Sequence, residues 1–86
     1  MPALKVYGKS DCVYCEMAKT YLESKSFQYD YIDADIPANV DALRLIHPAF
    51  LTVPQILIGS RIIGGFEELT KISTLTIQEL VSQNEA

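Results

Sequence analysis

The sequence predicts an α/β fold in which a mixed four-stranded sheet is flanked by helices, in the order β-α-β-α-β-β-α-α. The first observation is that short apolar, β-branched runs alternate with segments whose apolar residues recur at helical spacing. The second is the Gly59-Ser60 pair between two apolar runs, which is typical of a two-residue hairpin turn. The chain has 86 residues, a length that fits a single domain over residues 1–86.

The first half of the chain predicts a β-α-β unit. Residues 4–7 form the first strand, which we expect to be central, and residues 28–33 form the second. The helix between them is predicted over residues 13–25. Its inner face carries the apolar residues at helical spacing, which are Met17, Ala18, Tyr21 and Leu22. This order implies a parallel strand pair with a right-handed crossover.

A second helix is predicted to begin at Asp35-Ile36-Pro37 and to end before Pro48. Proline is tolerated in the first turn of a helix, and the Asp35 carboxylate suits the positive end of the helix dipole. Three apolar residues of this helix are expected to face the core: Val40, Leu43 and Ile46.

The hairpin follows, with strands expected at residues 56–58 and 61–63. Because glycine stands first in the turn, Gly59-Ser60 favours type II′. We expect the second of these strands to lie at the sheet edge. Gly64-Gly65 then ends the strand pattern.

Two helices complete the chain. The third begins at Phe66 and carries two carboxylates in its first turn, where the dipole favours them. The last is predicted to begin at a capping box over residues 76–79, with Leu75 and Leu80 as the accompanying hydrophobic staple.

Charge and hydropathy narrow the functional class. The formal net charge is −4, and the seven basic residues are scattered, so we expect no nucleic-acid partner. No segment approaches membrane-spanning length, and the first residues lack the apolar run of a signal peptide. We therefore expect a cytoplasmic protein without a membrane partner, in which a cysteine pair is catalytic rather than structural.

The two cysteines, Cys12 and Cys15, are the residues around which the functional prediction is built. Their spacing places them one helical turn apart, about 5 to 6 Å, which a disulfide tolerates. Unpaired N–H groups at the helix start, the helix dipole and Lys9 are expected to lower the pKa of the Cys12 thiol. We therefore expect Cys12 to attack a disulfide and the more buried Cys15 to resolve the product.

Two other interpretations of the cysteine pair are weighed against this one, and the single histidine is interpreted separately. The pair could be half of a zinc site, but zinc takes four ligands and the chain adds only His47 and carboxylates. It could be a structural disulfide, although so short a loop stabilises little. His47, at a predicted helix end, is interpreted as a partner of the helix dipole rather than a catalytic group.

Three stretches of the sequence together resemble the signature stretches of dithiol glutaredoxins. They are residues 6–15, which contain the cysteines, residues 52–56, which read Thr-Val-Pro-Gln-Ile, and residues 63–69, which contain the double glycine. Each lies at the expected place along the chain. The resemblance implies a thioredoxin-like fold and a glutathione-dependent thiol–disulfide oxidoreductase.

The resemblance also assigns roles to individual residues. Cys12 matches the nucleophile and Cys15 the resolving thiol. Glutathione would be bound by residues at eight matching positions, which are Lys9, Tyr14, Thr52, Val53, Pro54, Gly65, Phe66 and Glu67. Within this set, the Val53 backbone would pair with the tripeptide, Pro54 would be a cis-proline, and the helix start at residues 65–67 would receive the γ-glutamyl carboxylate, as helix N-termini bind anions.

The implied partners follow the same resemblance. Glutathione would be a co-substrate, no metal is expected, and the substrates would be protein disulfides and glutathione mixed disulfides, with ribonucleotide reductase as one candidate partner. The chain is expected to act as a monomer.

The sequence departs from the family pattern at several positions. Val13 stands where a proline is common, and Phe66 and Glu67 replace a smaller residue and an aspartate. Phe50 lies where relatives often carry a basic residue for the glycine carboxylate of glutathione, so Lys9 is the expected cation for that group. Two alternatives remain open: a glutaredoxin-like redoxin reduced by thioredoxin reductase, and a dimer that holds a [2Fe–2S] cluster through Cys12 and glutathione.

Overall fold

The computed structural model describes residues 2–84, whose elements follow the predicted order. They are β1 (Leu4–Gly8), α1 (Val13–Ser24), β2 (Asp30–Asp33), α2 (Pro37–Ile46), β3 (Gln55–Ile58), β4 (Arg61–Gly64), α3 (Phe66–Lys71) and α4 (Thr74–Asn84). The strands form a four-stranded sheet in the order β2-β1-β3-β4. β1 is parallel to β2 and antiparallel to β3, and β3 is antiparallel to β4. The predicted mixed sheet, with β1 inside and β4 at the edge, is confirmed.

Helices cover both faces of the sheet because successive strand residues point to opposite sides. On one face, side chains from β1 and β3 pack with α1, α3 and α4; the cluster includes Leu4, Val6, Ala18, Leu22, Ile56, Ile58, Leu69 and Ile77. On the other face, a smaller cluster packs beneath α2. Its buried members are Tyr7, Leu43, Phe50 and Leu57.

Two predicted core positions are wrong. Met17 is 42% exposed, because the buried stripe of α1 follows Cys15, Ala18 and Leu22 and leaves Met17 at its margin. Ile46 is 43% exposed, because Phe50 from the following loop, rather than the last residue of α2, fills the smaller cluster.

The predicted starts of two elements also need correction, and one predicted cap is absent. β2 begins at Asp30, two residues later than expected, so its pairing with β1 is short. α2 begins at Pro37, within the predicted start, but its N-cap is Ile36, which has no side-chain acceptor, and the Asp35 carboxylate accepts from Ser10 instead. α4 begins at Thr74, because the Ser73 hydroxyl accepts the Thr76 N–H at 3.1 Å.

The turn predictions have mixed outcomes. Gly59 has a φ of 61°, and among residues 2–84 the other residues with positive φ are Asp11, Ser26 and Gly64. Ser60 is thus outside the left-handed region, which matches the predicted type II′ turn. The predicted staple of α4 is absent, because Leu75 is 64% exposed. Within the described part of the chain, every helix is too short or too polar to cross a membrane.

Candidate functional site

The two cysteines lie at the start of α1, which the loop at residues 9–11 connects to β1. Cys12 is the N-cap of α1, and its Sγ accepts the backbone N–H of Cys15 at 3.1 Å. The two residues form a disulfide, with their Cα atoms 5.2 Å apart. Cys15 is fully buried and Cys12 is partly exposed, so a substrate can reach Cys12 first.

The turn before β3 lies directly against this disulfide. The Val53–Pro54 peptide bond is cis, as predicted. The Val53 carbonyl oxygen is 4.0 Å from Cys12 Sγ, and Val53 itself is only half-buried. Backbone groups of the turn are therefore within reach of a molecule whose sulfur faces Cys12.

A groove of about 470 Å³ runs beside the disulfide between this turn and the start of α3. Its walls are Tyr14, Thr52, Val53, Pro54, Gly65, Phe66, Glu67 and Glu68. The Tyr14 and Phe66 rings face each other with their centroids 6.1 Å apart. The structure therefore brings together every residue of the predicted glutathione set except Lys9.

The start of α3 forms one end of the groove. The Glu68 carboxylate accepts the Gly65 N–H at 2.8 Å, and Gly64 adopts a φ of 119°. A Cβ on Gly65 would lie 3.2 Å from Glu68 Oε1, so a larger residue would press on the carboxylate that accepts the Gly65 N–H. Glu67 and Glu68 lie in the first turn of α3, and Glu67 pairs with Lys71 at 3.2 Å, so among the described residues this end of the groove keeps one unpaired carboxylate charge, that of Glu68, and is acidic.

Lys9 lies in a separate depression of about 390 Å³ on the other side of the turn. The two depressions share Thr52 and Val53. The second is lined by Lys9, Ala34, Val40, Arg44, Phe50, Leu51, Thr52 and Val53. Lys9 is thus next to the groove rather than inside it.

Arg44 is a cation that the sequence analysis missed. Its guanidinium carbon lies 4.8 Å from the centre of the Phe50 ring, and it lines the same depression as Lys9. Although Phe50 is not basic, the depression therefore contains a second cation, Arg44, beside Lys9. Helical spacing could have found Arg44, since it is four residues after Val40, which lines the same depression.

The loop at residues 9–11 is held by side chains from β2 and the loop after it. Asp35 Oδ2 accepts the Ser10 N–H at 3.2 Å and the Ser10 hydroxyl at 2.9 Å. The Tyr31 hydroxyl donates to the Lys9 carbonyl at 3.2 Å, and Asp11 adopts a φ of 56°. The bonds from Ser10 hold the pKa of the Asp35 carboxyl below its usual value. Sequence reasoning had assigned Asp35 to the start of α2.

The outer surface of α1 carries a third, more apolar groove of about 540 Å³. Val13, the residue after Cys12, is 72% exposed there, and the Tyr21 and Phe66 rings meet edge to face at 6.3 Å. Within residues 2–84, no group of three or more His, Cys, Asp or Glu side chains is placed to hold a metal ion.

Comparison with known proteins gives a consistent result. The glutaredoxin family model matches residues 4–63. Glutaredoxin 1 of Rickettsia bellii is 38% identical over 71 residues, which are 78% of this chain and 72% of that protein. Glutaredoxin 3 of Escherichia coli K12 is 33% identical over 69 residues, which are 80% of this chain and 83% of that protein.

Other relatives broaden this picture. The glutaredoxin-like protein NrdH of Escherichia coli K12 is 30% identical over 64 residues, covering 73% of this chain and 76% of that protein. The hybrid peroxiredoxin hyPrx5 of Haemophilus influenzae is 30% identical over 69 residues, but the chain spans only 28% of its length.

Solved structures agree with the fold. A buckwheat glutaredoxin–glutathione complex superposes with a TM-score of 0.71 and 27% identity, covering 96% of this chain and 76% of that one. The disulfide-bonded cysteines at the start of α1 and the 52–54 turn beside them agree with these comparisons. The chain belongs to the glutaredoxin family and is a thiol–disulfide oxidoreductase of that family.

Proposed function

We propose that this glutaredoxin uses glutathione to reduce glutathione mixed disulfides and protein disulfides. The observation that carries the proposal is the groove of about 470 Å³ beside Cys12, whose walls contain all but one of the residues matched to glutathione binding. The buckwheat relative was solved as a glutathione complex, which supports the same ligand for this chain.

Cys12 is proposed as the nucleophile because its sulfur is partly exposed at the start of α1, whereas Cys15 is fully buried. The Cys12 thiolate attacks the glutathione sulfur of a mixed disulfide, the protein thiolate leaves, and Cys12 becomes bonded to glutathione. A second glutathione thiolate can then attack that glutathione sulfur, releasing glutathione disulfide and the Cys12 thiolate. For a protein disulfide, the Cys12 thiolate attacks one sulfur and the other leaves as a thiolate. The Cys15 thiolate then attacks the Cys12 sulfur, forms the intramolecular disulfide and releases the second substrate thiolate. Two glutathione molecules reduce the Cys12–Cys15 disulfide and leave as glutathione disulfide.

Charge gives glutathione a direction across the site. Its glycine end carries a lone carboxylate, which fits the side of the turn with Lys9 and Arg44. Its γ-glutamyl end carries an ammonium as well as a carboxylate, so the ammonium can lie near Glu67 or Glu68 while the carboxylate approaches the N–H groups at the α3 start. Between them, the cysteinyl backbone pairs with Val53 and its sulfur faces Cys12.

The test is turnover of a small glutathione mixed disulfide in the presence of glutathione, glutathione reductase and NADPH. The same protein is assayed in parallel with thioredoxin reductase as the electron donor. We expect turnover with glutathione that depends on its concentration and little with thioredoxin reductase. Turnover with thioredoxin reductase alone would contradict the proposal.

A second candidate is a redoxin that takes electrons from thioredoxin reductase. The similarity to the NrdH protein of Escherichia coli favours it, as does the acidic first turn of α3, which opposes a glutathione carboxylate. The presence of two cations beside the turn favours glutathione instead. The parallel assay separates the two candidates directly.

The wider setting is proposed on the same basis. We expect protein disulfides, such as the one that forms in ribonucleotide reductase turnover, to be the macromolecular substrates. We also propose a reducing, cytoplasmic location, because a catalytic dithiol must be returned to the reduced state after each cycle.

A further inference from the structure

Gln55 is the one buried polar or charged side chain among the described residues, with 6% of its surface exposed. It is the first residue of β3 and follows the 52–54 turn directly. In the sheet it pairs with Tyr7 of β1, so both side chains point toward the face covered by α2. That face is lined by apolar residues, including Leu43 and Leu57.

The Gln55 amide has one partner and one unpaired atom. Its Nε2 donates to the Thr52 carbonyl oxygen at 2.7 Å, while its Oε1 is buried without a hydrogen-bond partner. A flipped amide would place the Gln55 Oε1 against the Thr52 carbonyl oxygen, and two acceptors repel each other. The amide orientation is therefore the one in which Nε2 donates to Thr52. An unpaired buried acceptor is destabilising, and an apolar side chain of similar size would avoid that cost.

We infer that Gln55 is a positioning residue that holds the substrate-pairing turn from inside the core. Thr52 is exposed and Val53 only half-buried, so little protein packs on their outer side. The hydrogen bond from Gln55 fixes the position of the Thr52 carbonyl. It therefore also limits rotation of the following Val53–Pro54 peptide, whose carbonyl oxygen faces the disulfide. The Val53 carbonyl oxygen lies 4.0 Å from Cys12 Sγ, so a small rotation of this peptide misplaces a substrate backbone.

This role rests on the proposed pairing of Val53 with an extended substrate backbone. It does not require that the substrate be glutathione, since any extended polypeptide offers the same N–H and C=O groups. The expected loss is therefore one of substrate affinity, seen in KM, rather than of folding or of the cysteine chemistry.

The first test is Gln55→Met, which keeps the side-chain length and removes both polar atoms. We expect the KM for a glutathionylated peptide to rise about fivefold, the effect of losing one ordinary hydrogen bond, while kcat changes little. The thermal midpoint should not fall, because the unpaired acceptor is removed as well. Leu57→Met, a change at a buried apolar position on the same face, should leave KM unchanged.

The second test is Gln55→Glu, measured against pH. Burial and the facing Thr52 carbonyl both favour the protonated acid, whose O–H can donate as the amide does, so the pKa of this carboxyl should lie above its usual value. The ratio of variant KM to wild-type KM should be near one at low pH and rise as the acid ionises. The Gln55→Met ratio should not depend on pH.

Each assay is repeated with a peptide disulfide reduced by dithiothreitol, so that glutathione is not needed. If wild-type protein turns over only in this second assay, the glutathione proposal fails while the Gln55 ratios can still be measured. An unchanged KM for Gln55→Met in every assay in which wild type turns over would overturn the positioning role. So would a pH-independent KM ratio for a folded Gln55→Glu variant; if that variant does not fold, the Gln55→Met result decides alone.

Discussion

The two sides of the 52–54 turn differ in charge although they share Thr52 and Val53. The α2 side, defined by Lys9, Arg44 and Phe50, is basic, and its arginine lies over an aromatic ring. The α3 side, defined by residues 65–68, is acidic, and Glu68 already occupies the Gly65 N–H. Val53 lines both sides, and its carbonyl oxygen is 4.0 Å from the Cys12 sulfur.

This difference shows that the site has a polarity along the direction in which a substrate backbone would lie. A ligand with a lone carboxylate at one end and an ammonium at the other fits it in one direction. The reverse direction would place the lone carboxylate beside Glu67 and Glu68, where like charges repel. The contrast therefore bears on substrate orientation as well as on affinity, and each prediction below tests one part of it.

The largest effect is expected from removing the Cys12 sulfur, which lies beside the Val53 carbonyl oxygen between the two sides. Cys12→Ser should abolish thiol–disulfide turnover, because Cys15, the other cysteine of the chain, is fully buried. Cys15→Ser should retain turnover of glutathione mixed disulfides, since a second glutathione can resolve the intermediate, and lose reduction of protein disulfides. Steady-state rates with both substrate types test this. Activity in Cys12→Ser with none in Cys15→Ser would reverse the proposed roles.

The next effect concerns the basic side. Lys9→Ala and Arg44→Ala should each raise the KM for glutathione a few-fold, because one exposed charge contact is worth at most about 1 kcal/mol, or fivefold. The double variant should show a larger increase than either, and high salt should reduce the difference from wild type.

Lys25→Ala is the matched control, since this lysine caps the far end of α1 and lies over the Tyr21 ring. It should leave the KM for glutathione unchanged. Equal KM values for wild type and the Lys9/Arg44 double variant would contradict the proposal that the glycine carboxylate binds on this side of the turn.

A smaller effect is expected on the acidic side. Glu68→Gln keeps an oxygen that can accept the Gly65 N–H and removes one negative charge. The KM for glutathione should rise by no more than about twofold, because the ammonium of its γ-glutamyl end loses the attraction of one screened surface charge. Glu79→Gln, an exposed change on α4, serves as the control. A fall in KM would contradict this prediction, because it would mean that Glu68 repels the ligand carboxylate more than it attracts the ammonium.

The smallest effect concerns the loop that carries Lys9. The pKa of Asp35 is lower in the folded protein than its ordinary value of 3.8, chiefly because the Ser10 N–H and hydroxyl stabilise the carboxylate. A lowered pKa adds stability above the unfolded value, and that stability is lost as pH falls through the folded value. Urea midpoints of wild type and Ser10→Ala should therefore differ slightly at neutral pH and converge in acid. A difference that grows in acid would contradict this assignment.

Much of this architecture follows from local patterns in the sequence. The β1–α1 unit, the hairpin with its type II′ turn and the order of all elements rest on periodicity and turn residues that act over a few positions. The disulfide geometry follows likewise from a spacing of three residues at a helix start. The cis bond before Pro54 was correctly predicted from the resemblance to dithiol glutaredoxins, not from local propensity.

The predictions that failed involve competition between groups for one partner or one place in the core, and one of these competitions joins groups distant in the sequence. Asp35 is a reasonable residue for the start of α2, but Ser10, 25 positions away, offers two donors and takes it. Ile46 has the right spacing for the core, but Phe50 fills the cluster beneath α2. Thr76 was the predicted cap of α4, but the Ser73 hydroxyl, three positions earlier, accepts the Thr76 N–H.

The sequence by itself determined which residues could react and which short elements would carry them, because helix starts, hairpin turns and the cysteine spacing depend on neighbours along the chain. The tertiary structure decided what surrounds the reactive sulfur. Arg44 reaches the site only because α2 packs over Phe50, and Gln55 supports the turn only because β3 is buried in the sheet. Such contacts join residues through packing between elements, and a one-dimensional pattern carries no record of which distant groups compete for the same partner.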